Sequence, residues 1–262
     1  MRHDIRREEW DRCFYKSREK PGQEKVINEP VEKEIEKVQI VLEELHEHDF
    51  IQEIRYSLDK FSAFRKQVKE SFFVFWTAIN PPMERLLYAL SAILKPRSIL
   101  GLGIFTGNPV VWSMGPALDG TYDAAQLDAV EIEKNNARLC RDNFKELESI
   151  LQAKIHVNVH GEDGFKVLEK YGTHSIDLLY LDANGLDPET GIEGTKRINY
   201  TFLKRALPKL KPGSTVMCHN ATMDSFKKEA GDYLELTGND RFFTKTSGIH
   251  IDEMGLEVSI RR

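Results

Sequence analysis

A glycine-rich turn is the first part of the chain whose residues suggest a chemical use. Gly101, Gly103 and Gly107 follow or end the apolar run Ser98–Leu102, and glycines at a strand-to-helix turn let the backbone approach a ligand closely. The helix after such a turn offers free N–H groups to a carboxylate or a phosphate. The spacing G-x-G-x-x-x-G is one residue longer than the dinucleotide fingerprint, which argues against a nicotinamide enzyme. Taken alone, these glycines are equally well explained as parts of a tight turn.

An acidic residue follows the next apolar run. Residues 127–132 predict a second strand, and Glu131 stands near its end, two residues before Glu133. A carboxylate at this point can accept hydrogen bonds from both hydroxyls of a ribose. The alternative for Glu131 is an ordinary charge beside a helix start, which the helix dipole stabilises. Because Glu133 lies further toward that helix, Glu131 is the better ribose candidate.

Strand-like and helix-like patterns alternate beyond about residue 80. Strands are predicted at 98–102, 127–132, 154–159, 176–181, 214–218, 242–245 and 256–260. Helices are predicted at 83–94, 134–150, 164–171, 194–210 and 224–236. This alternation predicts an α/β fold with a parallel sheet covered by helices on both faces. Ligands bind such sheets beyond the carboxyl ends of the strands, which is where the glycine turn and Glu131 stand.

The first 76 residues have a different composition, being highly charged and patterned as helices. Apolar residues recur at spacings of three and four in two stretches, first Val31, Ile35, Val38, Leu42 and Leu45, then Leu58, Phe61, Phe64, Val68 and Phe72. Such stripes are typical of amphipathic helices. We therefore divide the chain into a helical extension or cap at 1–76 and a ligand-binding domain at 77–262.

Aromatic residues mark the end of the extension. Phe72, Phe73, Phe75 and Trp76 stand just before the helix-breaking segment 78–82, which ends in two prolines. Core packing where the cap meets the sheet is the simpler explanation of the cluster. An aromatic wall for an acceptor pocket is the alternative.

Charge and cysteine content exclude several classes of protein. The chain has 37 Lys+Arg against 42 Asp+Glu, a net charge of -5, whereas duplex nucleic acid usually requires a basic surface. No apolar run approaches the ~20 residues of a membrane span, and the charged N-terminus does not resemble a signal peptide. The three cysteines of the chain are far apart, and their spacing matches neither a disulfide framework nor a metal knuckle. We expect a cytoplasmic protein without nucleic-acid or membrane partners.

Four stretches in order resemble the class I S-adenosylmethionine (SAM)-dependent methyltransferases, and most closely the catechol and caffeoyl-CoA O-methyltransferases. They are SILGLGIFTGNPVVW, AVEIEKNNARLC, IDLLYLDAN and LKPGSTVMCHNA. The resemblance covers about residues 78–262, including the closing MGLEVSIRR, while the first ~75 residues are outside it. It implies a Rossmann-like, doubly wound, mostly parallel seven-stranded sheet with an antiparallel last strand, preceded by the helical extension.

The same resemblance implies which residues contact SAM. They are Gly103, Phe105 and Gly107 at the methionine end, Glu131 at the ribose, Glu162 and Asp163 near the adenine, Asp182 beside the sulfonium, and Ile79 and Asn80 in the loop over the cofactor.

A divalent cation is also implied. In the catechol-type enzymes an Asp after the fourth strand and an Asp-Asn pair after the fifth hold a cation, which lowers the pKa of the acceptor hydroxyl and orients it. This chain supplies Asp182 and then His219 and Asn220, so a histidine replaces the second Asp. Asp182 and His219 are the candidate catalytic residues, and all three are the candidate metal ligands.

Three roles are open for His219. As a ligand it would shift the preferred ion from Mg²⁺ toward Mn²⁺, Fe²⁺ or Zn²⁺. Without a metal it could serve as a general base, since its ordinary pKa of about 6.5 suits that work. Hydrogen bonding at a strand end, without a chemical role, is the third.

The chain departs from the family pattern at two further positions, one near the acceptor and one near the methionine end of SAM. Gly185 stands where the family often has a lysine base, three residues after Asp182. Gly101 stands where the family usually has a Glu that positions the methionine amino group. Mechanisms that need either side chain are therefore in doubt.

The leading hypothesis is metal-assisted methyl transfer from SAM to the hydroxyl of a small-molecule acceptor, selected by the helical cap. One alternative is a cyclase or lyase that consumes SAM on the same fold, and another is a SAM-binding protein without turnover. An apolar helical extension also commonly supports a homodimer, which we expect here.

Overall fold

An eight-stranded mixed sheet forms the centre of the protein. The computed structural model describes residues 2–7, 30–73, 79–252 and 254–262. The strands are β1 (Arg2–Ile5), β2 (Ser98–Leu102), β3 (Gln126–Val130), β4 (Val157–His160), β5 (Ile176–Leu181), β6 (Leu210–His219), β7 (Phe243–Ile249) and β8 (Leu256–Arg261). Their order is β1-β7-β8-β6-β5-β2-β3-β4. Every pairing is parallel except those of β8 with β6 and β7, which confirms the predicted antiparallel last strand.

Helices cover both faces of this sheet. They are α1 (Val31–Glu47), α2 (Leu58–Ser71), α3 (Pro81–Leu94), α4 (Asn108–Leu118), α5 (Lys134–Leu151), α6 (Gly164–Glu169), α7 (Ile198–Ala206), α8 (Asp224–Glu229) and α9 (Gly231–Thr237). Two hydrophobic clusters result, one between the sheet and α1–α5, the other between the sheet and α6–α9. Strand residues alternate between them, so that Leu178 and Tyr180 face the first while Leu179 and Leu181 face the second. This explains why β5 is apolar along nearly its whole length.

Several predicted boundaries differ from the observed ones. Residues 2–5 were predicted to belong to the helical extension, but they form an eighth strand, β1. This strand pairs in parallel with β7 at the sheet edge, where Arg2 forms an ion pair with the buried Glu257. The helix predicted at 194–210 begins only at Ile198, because the preceding residues form a loop with Gly194 at φ 72°. The helix predicted at 224–236 is two short helices separated by Ala230.

The N-terminal helices are packed into the same core as the sheet. Along α1 the buried stripe is Val38, Val41, Leu42 and Leu45, whereas Val31 is exposed. Along α2, Phe61 and Phe64 pack against the rings of Tyr88 in α3 and Trp112 in α4. The division at residue 76 stays a prediction, although helices on both sides of it share one hydrophobic cluster.

Part of the aromatic cluster before α3 can be described. Phe72 is buried and meets the ring of Phe144 in α5 edge to face, with centroids 5.2 Å apart, which supports core packing for that residue. The backbone N–H of Phe73 donates to the side-chain oxygen of Asn143. Phe75 and Trp76 lie outside the described residues, as does Cys13. Cys140 and Cys218 are buried free thiols.

A buried ionic network joins the first three helices. Glu34 of α1 binds Arg65 of α2 through two hydrogen bonds of 2.7 and 2.9 Å and also accepts from Arg85 of α3. Glu84 of α3, which is fully buried, pairs with Lys69 at 2.6 Å and with Arg65 at 3.1 Å. The two guanidinium groups lie 4.3 Å from the ring centroid of Phe61. Since a charge buried without a partner is costly, these contacts hold the helices in one arrangement.

None of the helices in the described part of the chain has the length and apolar composition needed to cross a membrane.

Removing Glu34 should destabilise the protein strongly, because Glu34 is part of the buried ionic network that joins α1, α2 and α3. We expect Glu34→Ala to lower the free energy of unfolding by about 3–5 kcal/mol, because Arg85 would be left buried without its carboxylate. Glu36→Ala, an exposed position on the same helix, is the matched control and should change it by less than ~0.5 kcal/mol. Urea unfolding of both variants measures the difference, and equal stability would contradict the role of the network.

Candidate active site

A cleft of about 480 Å³ opens at the carboxyl ends of β2, β3 and β5. This is the edge of a doubly wound sheet at which ligands are expected, and the volume is in the range of small-molecule sites. Five residues predicted to contact a cofactor line the cleft, namely Gly103, Phe105, Glu131, Asp163 and Asp182. The structure therefore brings together side chains that are far apart in sequence.

The glycine turn is shaped by two close approaches. Gly103 has φ +74°, and a Cβ atom there would lie 2.3 Å from the Cα of Ala183, the residue after Asp182. At Gly101 a Cβ would lie 2.7 Å from a methyl group of Val110, so α4 can pack on β2 only because this residue has no side chain. Packing thus explains why this chain has glycine at position 101, where the family that it resembles usually has Glu. Gly107 has φ +93° and precedes α4.

Polar side chains without partners follow that turn. Thr106 and Asn108 are almost fully buried at the start of α4. The Thr106 hydroxyl and both polar atoms of the Asn108 amide lack a hydrogen-bond partner within the described structure. Buried polar groups are normally satisfied, so these atoms are unusual, but neither residue is among those that line the cleft.

Glu131 is held at the end of β3 by backbone contacts. Its two carboxylate oxygens accept from the N–H groups of Phe105 and Glu133, each at 2.9 Å. Burial raises the pKa of Glu131, although these hydrogen bonds oppose the shift. A carboxylate has about four acceptor positions, so Glu131, which lines the cleft, can still accept a hydrogen bond from a ligand there.

The two acidic residues predicted near an adenine differ in position. Asp163 lines the cleft and caps α6, where its side chain accepts from the N–H of Phe165 at 2.8 Å. Glu162 is turned toward the surface and pairs with Lys170 at 2.6 Å, which lowers its pKa. The structure brings Asp163 to the cleft but not Glu162.

Asp182, Lys196 and His219 form a cluster at the end of β5 and β6. The Asp182 carboxylate accepts from Lys196 Nζ at 2.8 Å through Oδ1 and contacts His219 Nδ1 at 3.0 Å through Oδ2. Burial raises the pKa of Asp182, but Lys196 and His219 outweigh burial and hold the pKa below its ordinary value. Asp182 is therefore ionised at neutral pH.

His219 is oriented by Asp182. Burial lowers the pKa of His219, but the Asp182 carboxylate outweighs burial and raises the pKa above its ordinary value. With Nδ1 directed at the carboxylate, Nε2 is buried and has no hydrogen-bond partner among residues 2–7, 30–73, 79–252 and 254–262. An imidazole held in this way can accept a proton at Nε2.

Lys196 is the residue of this cluster that sequence analysis missed. It lies 14 positions from Asp182, in a loop between β5 and α7, and no spacing connects the two. Gly185 and Thr195 form an antiparallel bridge. This bridge closes the loop and places Lys196 beside the segment that starts at Asp182. Only the folded loop identifies it.

The predicted metal ligands do not fit a divalent cation in this arrangement. Both oxygens of Asp182 already face donors, Lys196 at one and His219 at the other. Asn220 has φ +67° and uses its N–H to bind the carbonyl of Gly255 at 3.0 Å. Over the described part of the chain no group of three or more His, Cys, Asp or Glu side chains could hold a metal ion.

Asn80 has a structural contact of its own. Its side chain accepts from the N–H of Met83 at 2.9 Å and so caps α3. Asn80 does not line the cleft described above, and residues 74–78, which precede it, lie outside the described residues. Its predicted contact with a cofactor stays a prediction.

Comparison with known proteins identifies the fold. No protein-family model matches the chain, and no curated protein matches it by sequence. The O-methyltransferase from Bacillus cereus, solved in complex with S-adenosylhomocysteine (SAH), is 14% identical to this chain. The match covers 87% of this chain and 100% of that one, with a TM-score of 0.55. The O-methyltransferase TomG from Streptomyces achromogenes, involved in tomaymycin synthesis and solved with SAM, is 19% identical, with 79% and 91% covered and a TM-score of 0.52. The chain therefore has the fold of these methyltransferases, as the sequence resemblance implied.

The close approach at Gly103 predicts a difference between two glycine substitutions. Gly103→Ala and Gly120→Ala both place a side chain at positive φ, +74° and +71°, which costs about 1–2 kcal/mol. Only at Gly103 does the new Cβ also meet backbone, since nothing lies within 4 Å of it at Gly120. We expect Gly103→Ala to be the less stable variant in thermal unfolding, and equal melting temperatures would contradict the packing of this turn on Ala183.

Proposed function

We propose that the chain transfers the methyl group of SAM to a hydroxyl group of a small-molecule acceptor. The observation that carries this proposal is the cleft, in which Gly103, Glu131 and Asp182 meet at the carboxyl ends of three strands. The fold, shared with O-methyltransferases solved with SAM and SAH, supports the same choice of cofactor.

The residues present fit this cofactor. Glu131 and Asp163 both line the cleft; we assign Glu131 to the ribose hydroxyls and Asp163 to the neighbourhood of the adenine. Gly103 and Phe105 of the glycine turn line the cleft, where the methionine end would bind. When bound, SAM supplies an electrophilic methyl group on a positively charged sulfonium.

Asp182 and His219 are the residues that we assign to the reaction. The Asp182 carboxylate lines the cleft and is ionised, so it attracts a cationic ligand. His219 is held by Asp182 through Nδ1 and is not itself among the residues that line the cleft. We assign it the role of accepting the proton of the hydroxyl at Nε2 when an acceptor is bound, which makes the oxygen a better nucleophile. The cleft aligns the two reactants, which is the larger part of the acceleration expected for an in-line transfer.

Part of the cleft lining is apolar, and we assign the acceptor to this part. Leu186 and Pro188, from the loop between β5 and α7, line it, and Leu186 is 55% exposed. This favours an acceptor with an apolar body next to its hydroxyl. We also propose a cytoplasmic location, which fits two buried free thiols. We propose a homodimer, and no nucleic-acid partner because the net charge is -5.

Binding of S-adenosylhomocysteine tests the cofactor part of the proposal. We expect wild-type protein to bind it in isothermal titration calorimetry and Glu131→Gln to bind about 10- to 100-fold more weakly, the effect of a lost hydrogen bond to a charged group. Glu146→Gln, on the exposed face of α5, is the control. Thermal unfolding without ligand separates a binding defect from a folding defect.

The products formed from SAM distinguish the proposed reaction from its alternatives. With hydroxylated acceptors, methyl transfer yields S-adenosylhomocysteine and a methylated acceptor. Methylthioadenosine formed without an acceptor would indicate a cyclase or lyase instead. Binding without any product from a broad acceptor panel would favour a protein that has lost turnover.

A further inference from the structure

A positive charge is already built into the site beside Asp182. Lys196 Nζ lies 2.8 Å from Asp182 Oδ1 and 3.4 Å from the backbone carbonyl of the same residue. The lysine side chain is only 21% exposed and the aspartate 15%, so solvent screens the pair weakly. One ammonium group thus satisfies both the carboxylate and the carbonyl at the end of β5.

The loop that delivers Lys196 is held at several points. Gly185 and Thr195 exchange two backbone hydrogen bonds of 3.4 Å, which closes the loop directly before Lys196. The buried Asn199 side chain then binds both the N–H and the carbonyl of Ala183, at 3.0 and 2.9 Å. The backbone N–H of Lys196 itself donates to Glu229 at 2.9 Å. Lys196 is therefore positioned by its surroundings and does not reach Asp182 as a freely moving surface lysine.

The position of the Lys196 ammonium group is incompatible with a divalent cation bound to Asp182. An ion bound to Asp182 would lie about 2.0–2.6 Å from a carboxylate oxygen, next to an ammonium group that is bound to the same carboxylate. The repulsion between the two charges, in a partly buried site, is strong. His219 Nδ1 occupies the other oxygen at 3.0 Å, so neither side of the carboxylate is open.

We propose that Lys196 takes the place of a metal ion in this site, so that the cluster of Asp182, Lys196 and His219 is complete without a divalent cation. The ammonium keeps the Asp182 carboxylate in position, and Asp182 in turn orients His219. The placement of this cluster on the acceptor side of the cleft rests on the proposed function, whereas the exclusion of a cation by Lys196 does not. Lys196 is thus a positioning residue that acts through Asp182.

Binding of Mn²⁺ alone tests the proposal. The full chain, freed of metal with a chelator, is titrated with MnCl₂, and free Mn²⁺ is followed by electron paramagnetic resonance. We expect no Asp182-dependent binding by wild type up to about millimolar Mn²⁺, and binding at least about tenfold tighter by Lys196→Gln, because the repelling charge is gone. Lys196→Arg keeps the charge and should stay like wild type. Lys204→Gln, which removes an exposed lysine of α7 paired with Glu189, is the matched control.

The outcomes separate this proposal from a merely structural role. Loss of the gained site in Lys196→Gln/Asp182→Asn would support it. One Mn²⁺ bound by wild type and lost in Asp182→Asn would overturn it, and so would a folded Lys196→Gln that binds Mn²⁺ no better than wild type. If Lys196→Gln does not fold, Lys196→Met is used in its place. Because the titration contains neither SAM nor an acceptor, its result is independent of the proposed reaction.

Discussion

The partly buried carboxylate of Asp182 is the group on which the rest of the site depends. A charge in this position requires partners, since unpaired buried charges are strongly unfavourable, and the chain supplies Lys196 and His219 at 2.8 and 3.0 Å. The Asp182 N–H also donates to the carbonyl of Leu102 at 3.1 Å, which ties β5 to the glycine turn. That contact requires Ala183 to lie against Gly103, where any side chain would collide. Asp182 therefore links the turn, the loop and the end of β6.

The same principle operates at a distance from the cleft. Glu34 and Glu84 are buried carboxylates whose partners come from α2 and α3, so the charged extension is attached by ionic contacts as well as by its apolar stripe. The first 76 residues are highly charged, and charges on amphipathic helices ordinarily face solvent. Some of those charges instead form the contacts between helices, and α1 and α2 become part of the wall over one face of the sheet.

Local patterns, together with the family resemblance, predicted most of the fold and three of the residues that line the cleft. β2 and β5 were predicted with their observed bounds, because short apolar runs ending at glycine or Asp have few alternatives. Glu131 was proposed because it follows a strand, whereas Asp163 and Asp182 were implied by the family resemblance; all three line the cleft. The residues missed depend on contacts between distant segments. Lys196 reaches Asp182 through the Gly185–Thr195 bridge, and β1, only four residues long, is a strand because β7 offers an edge.

The central claim is that this cleft binds SAM beside a cation position that Lys196 already fills. A crystal structure of the protein grown with S-adenosylhomocysteine and MnCl₂, with anomalous data for manganese, tests it most directly. We predict the nucleoside against Glu131, Lys196 Nζ at Asp182 Oδ1, and no anomalous peak at the cluster. A manganese peak at Asp182 with Lys196 displaced, or S-adenosylhomocysteine bound away from Gly103 and Glu131, would contradict the account.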